Sequence, residues 1–216
     1  MKFLLFGLLA ATLLVAYRKW LRNRRINYLQ SYVLPDAVLA RFREQRTGLS
    51  SEQEAKVRDA LFQYFHICQL VRGKFVSMPS QVVDELWHTF ILFTRNYERF
   101  CGGAFGRFLH HTPVEAMSTP TLATDGIRRT WYHACRLEGI DPKQPVRLPL
   151  LFALDAELGI SDGFHYTLNC EQTATSSSNT FCASSIGCGS SSGCGGDSGS
   201  GDGGSSCGSS CGGGGD

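Results

Sequence analysis

Asp84 and His88 stand four residues apart in Val83-Asp84-Glu85-Leu86-Trp87-His88, and His110-His111 follow a glycine-bearing turn. On a helix, that spacing puts the carboxylate and the imidazole one turn apart on a single face. The nine residues after Cys101 can reach about 30 Å if extended, enough to bring His110 or His111 back beside His88. One oxygen and two or three nitrogens with open positions would suit Zn²⁺, Fe²⁺ or Mn²⁺. Such a centre requires Asp84, His88 and His110 or His111 to converge within about 5 Å. The competing reading is structural: a His–Asp pair that orders the fold, with His110-His111 closing the turn before Pro113.

Other groups fit less well. Glu85 lies about 100° around the helix from Asp84, a poor place for a base acting on the same metal. The pattern is not H-E-x-x-H, and no complete catalytic constellation is present, so no catalytic or organic-cofactor residues are assigned. On an unbroken helix Cys101 falls about 20 Å along the axis from His88 and about 220° around it, which assigns it to the packed side with Trp87 and Tyr97. His66 and His133 read as satisfied local histidines, and His165 has no obvious partner.

The elements that position these residues are helical. Leu34-Pro35-Asp36 opens a helix that Gly48 ends. A second begins at Ser51, with Glu54 completing a capping box, and Gly73 closes it. A third runs from Pro79 to Cys101 and is apolar on more than one face, which predicts a central, buried helix. A fourth runs from a Thr124 cap to Glu138, before Gly139-Ile140 and Pro142, and a short fifth from Pro149 to Gly159. No convincing strand alternation appears, so the fold class is all-α: about five helices over residues 27–169.

Extensions flank that body. Phe3–Tyr17 is an uncharged, mostly apolar run, followed by Arg18, Lys19, Arg22, Arg24 and Arg25. This reads as a membrane anchor with a basic flank over residues 1–26, placing the domain on the cytoplasmic side; export after signal cleavage is the alternative. Seven acids and no base follow Arg147, so that stretch carries −7 against +9 for the rest of the chain. Residues 170–216 are rich in Gly, Ser and Cys and read as a disordered tail. In a reducing cytoplasm the nine cysteines would be thiols, and those of the tail could collect a soft ion such as Zn²⁺ or Cu⁺. No nucleic-acid motif is found.

Val83–His88, Tyr97, Cys101 and Phe105-Gly106-Arg107-Phe108-Leu109 resemble the core of the glycine-rich domain-containing protein-like family. The motif part covers Pro79–Pro113. A longer stretch, Ser31–Tyr166, is similar to bacterial versions through Trp131, Gly139-Ile140-Asp141-Pro142 and Leu148–Phe152. The resemblance marks Trp87, Tyr97, Cys101 and Gly106 as motif residues and implies a regulatory or binding role with no catalytic residues. With no complete catalytic constellation and a tail suited to binding or tethering, the expected function is a membrane-tethered interaction or scaffold module with a protein partner. The alternative is a metal-binding protein or metal-dependent enzyme centred on Asp84, His88 and His110/His111.

Overall fold

Ser50 shows how these elements begin: its hydroxyl accepts from the Gln53 amide while the Gln53 side chain accepts from the Ser50 amide. The box therefore sits one residue earlier than Ser51 and Glu54 suggest. The computed structural model describes residues 2–111, 120–168, 180–183 and 186. Seven helices are present among them: α1 (Lys2–Ser31), α2 (Asp36–Gln45), α3 (Ser51–Val71), α4 (Gln81–Leu92), α5 (Thr94–Ala104), α6 (Pro120–Leu137) and α7 (Leu150–Glu157). The chain is mostly helical, as its periodicity predicts, with one more helix than the five of the body and the N-terminal one expected.

The apolar run and its basic flank form one continuous helix, α1, and here the anchor expectation is corrected. Among the described residues no helix is long and apolar enough to cross a membrane. The apolar part of α1 ends at Tyr17, about 22 Å from its start at 1.5 Å per residue, against a hydrocarbon core of about 30 Å. The C-terminal end of α1 belongs to the domain: Leu29 is buried, and Tyr28 lies against Gly103.

The expected helix from Pro79 to Cys101 is broken at Phe93 (φ −84°, ψ 61°), which ends α4 and starts α5. Neither glycine nor proline marks the break. The bend lets both segments face one core, where Phe100 meets Tyr32 at 4.7 Å, Phe65 at 5.0 Å and Phe90 at 5.3 Å between ring centres. Burying each such phenyl is worth about 2–3 kcal/mol. The central helix is α3, which touches α1, α4, α6 and α7.

Two short strands, β1 (His165–Thr167) and β2 (Thr180–Cys182), pair in parallel with His165 opposite Thr180. Three residues per strand are too few to show alternation. This corrects the expectation that the tail is unstructured from residue 170, because β2 lies inside that segment and Ala183 is buried in the core. Cys182 is disulfide-bonded, whereas Cys68, Cys101 and Cys135 are free and buried; the thiol expectation thus fails at Cys182. Cys170, Cys188, Cys194, Cys207 and Cys211 lie outside the described residues.

Candidate metal centre

The N-terminus of α4 carries the site, and a buried acid from elsewhere in the chain fixes it. Asp155 of α7 is 1% exposed. It accepts from the Ser80 hydroxyl at 2.6 Å and from the amides of Gln81 (2.7 Å), Val82 (3.3 Å) and Phe164 (2.9 Å). Free amides and the positive end of the helix dipole favour a carboxylate there. A Cβ at Gly163 would fall 2.6 Å from the Asp155 Cβ, so this close approach needs glycine.

Asp84 and His88 then project from α4 on one face. The return segment is held by a hydrogen-bonded relay. Trp87 donates its indole N–H to the Tyr97 oxygen at 3.1 Å, and the Tyr97 hydroxyl donates to the Leu109 carbonyl at 2.5 Å. Gly106, at φ +68°, closes α5 by donating to the Cys101 and Gly102 carbonyls and turns the chain back. Together these contacts deliver His111 to Asp84. Cys101 is buried beneath, its thiol pushed up by desolvation, consistent with the packed position expected of it.

His111 bridges the other two groups. Its Nε2 lies 2.9 Å from Asp84 Oδ1, and its Nδ1 lies 3.3 Å from His88 Nε2. The second carboxylate oxygen is 3.5 Å from His88 Nδ1. One donor atom from each of Asp84, His88 and His111 can be chosen so that all lie within 4.8 Å of one another. The Trp87 ring meets His111 edge-on at 4.5 Å and supplies an apolar wall. An ionised carboxylate only accepts, so the 2.9 Å contact with Asp84 puts a proton on His111 Nε2 and leaves His111 Nδ1 as an acceptor. His88 Nε2 meets that acceptor at 3.3 Å, as a hydrogen-bond donor in one tautomer and as a second lone pair in the other.

His110 does not join the cluster; its ring packs on Phe108 at 4.8 Å. Adjacent residues of an extended segment point opposite ways, and His111 takes the inward direction. Glu85 also faces elsewhere, bound through both oxygens to Arg46, which in turn holds Asp162. His66 and His133 have pKa values lowered by burial, with Arg22 and Arg136 respectively adding to the shift.

The triad opens onto a cavity of about 450 Å³, whose walls include Tyr64, Cys68, Lys74, Met78, Arg107 and Leu109. α6 fixes the loop forming one wall: Thr130 donates to the Ser77 carbonyl at 2.7 Å and Arg129 to that of Phe75 at 2.8 Å. Sequence reasoning missed Asp155, Lys74 and Arg107. Asp155 meets Ser80 from 75 residues away in sequence, and no local pattern signals that contact.

Residues 24–186 match the family model described as UCP032817-like. The chain belongs to the UCP032817-like family. No curated protein and no solved structure matches it. The family match overturns the resemblance to glycine-rich domain-containing proteins. Trp87, Tyr97 and Cys101 are all buried, so their spacing reflects helix packing, which unrelated families can share. The UCP032817-like family is uncharacterised and brings no residue roles to the site. Its match runs through β2 to Ile186, beyond the domain end expected at residue 169.

Proposed function

We propose that this chain is a metal-binding protein in which Asp84, His88 and His111 hold a divalent transition metal at the edge of the cavity. The observation that carries this reading is the approach of three donor atoms to within 4.8 Å of one another. Two nitrogens bound to one tetrahedral metal at about 2.0–2.1 Å lie about 3.3 Å apart. His88 Nε2 and His111 Nδ1 already have that separation. The N₂O donor set suits Zn²⁺, Fe²⁺ or Mn²⁺ and leaves coordination positions open toward the cavity. Metal-dependent binding or catalysis there is the chemistry such a centre supports.

Elemental analysis of the purified full chain tests the reading. Near-stoichiometric zinc, iron or manganese in the native protein, lost in a folded His88→Ala variant, is the expected result. A well-folded chain that stays metal-free after incubation with each ion overturns it. The triad would then be a hydrogen-bonded element of the fold.

A second reading concerns α1 and is supported by its exposed apolar side chains, among them Phe3, Phe6, Leu8, Leu9 and Leu13. A helix that is apolar around its circumference and left uncovered favours attachment to an apolar surface, in keeping with an interaction module. Sedimentation with lipid vesicles or with a protein partner, lost when Leu8, Leu9 and Leu13 become Ser, is the expected behaviour. A monomeric chain that remains in the supernatant with both would sink this second reading.

A further inference from the structure

We propose that the cavity beside the triad takes a small oxyanionic ligand, a carboxylate or phosphate group, gripped by Lys74 and Arg107. The proposal rests on the metal reading only for what the ligand's other end meets; the grip stands on the cavity itself. At about 450 Å³, the cavity falls in the range of small-molecule sites. Lys74 enters from the loop after α3, and Arg107 from the turn after α5.

The charges on its wall are unbalanced. Asp84 is the one carboxylate among the described lining residues, and its two oxygens are already turned to His111 and His88. Neither Lys74 nor Arg107 enters an ion pair among the described residues. Two exposed cations without an ion-pair partner on the rim of one open cavity create a positive potential that favours an anion. Arg107 adds geometry to charge, because its planar fork matches a carboxylate or phosphate through two parallel hydrogen bonds.

The charge of Arg107 is also felt at Cys68, another residue lining the cavity. Burial pushes the Cys68 thiol up to about 12, and the Tyr64 hydroxyl and the Arg107 charge act against that rise. Met78, Trp87 and Leu109 give the same space apolar walls. An organic acid or phosphate ester with a short apolar body therefore matches the lining better than a bare ion.

Calorimetric titration of the full chain with inorganic phosphate and with succinate tests the proposal, with metal content measured on the same preparation. At least one probe is expected to bind; its identity decides between phosphate and carboxylate. Lys74→Gln and Arg107→Gln should each weaken binding by about tenfold or more, the worth of one charge-assisted hydrogen bond. Metal content and unfolding midpoint should stay unchanged, and Lys74→Arg should retain binding. Absence of binding by both probes at millimolar concentration overturns the proposal, as does binding indifferent to both substitutions. Binding that depends on Lys74 and Arg107 in a metal-free chain supports the anion site while refuting the metal reading.

Discussion

His88 Nε2 and His111 Nδ1 face each other across 3.3 Å, while Asp84 contacts the opposite nitrogen of each ring. The carboxylate fixes the proton on His111 Nε2, and the inner pair presents electron density to the same point when His88 carries its proton on Nδ1. In that tautomer a cation bound between the two nitrogens satisfies both lone pairs. This arrangement makes the histidines a preformed pair of ligands without requiring movement of α4.

Replacing His111 by Ala should abolish stoichiometric metal and cost little stability, since the side chain lies in the cavity wall and outside the main aromatic core. Elemental analysis with a thermal melt checks both halves. Bound metal that survives the substitution would remove His111 from the site.

Asp84→Asn keeps the shape of the side chain but removes the only negative charge among the described cavity-lining residues. As one of the three proposed ligands, the carboxylate should be worth at least the ~10–100-fold in affinity that a carboxylate merely orienting metal-bound histidines contributes. Chelator competition should show a loss of that size, with circular dichroism unchanged. An unaltered affinity would mean that Asp84 only orders the fold.

Tyr97→Phe removes one hydroxyl that accepts from Trp87 and donates to the Leu109 carbonyl. With both partners inside the protein, the expected cost is about 1–3 kcal/mol. Because Leu109 lies two residues before His111, metal affinity should fall as well. Urea unfolding and metal titration of the same variant test the two effects separately. A destabilised variant with normal affinity would show that the relay holds the core without positioning the ligand.

The legible parts of this molecule were those written locally. Asp84 and His88 needed only helical spacing to share a face, and Pro149 and Gly159 bracket α7 as their backbone preferences require. The break at Phe93 was invisible because no residue there opposes a helix; packing of α5 against α1 and α4 imposes it. Choosing His111 over His110 depended on the direction of an extended segment held by Tyr97, a tertiary contact. The pairing of β1 with β2 joins segments 15 residues apart in register, and three-residue strands leave no alternation to read.

Asp155→Ala should be the most damaging single change outside the aromatic core. It strands the Ser80 hydroxyl and three amides that the carboxylate now satisfies, at a cost of about 3 kcal/mol or more. The urea midpoint should drop accordingly. Metal affinity should fall with it, since the first turn of α4 carries Asp84. A loss below about 1 kcal/mol would show that water replaces the carboxylate without penalty.

Acid should weaken the fold before any carboxylate titrates. Burial, helped by Arg22 and Arg136, lowers the pKa of His66 and His133 below the ordinary 6.5. The unfolded chain therefore binds more protons than the native one in the window beneath that value, and stability rises with pH there. Read downward, stability should fall as pH drops through and below 6.5, level off once both histidines are protonated in the native state, and fall again at lower pH. The second fall belongs to groups such as Asp162, whose pKa the Arg46 hydrogen bond depresses; its contribution is lost as pH falls through that lowered value. Chemical unfolding across this range, with His66→Gln and His133→Gln combined, checks the assignment. The double variant should flatten the first fall while keeping the second, and an unchanged profile would mean that neither histidine governs it.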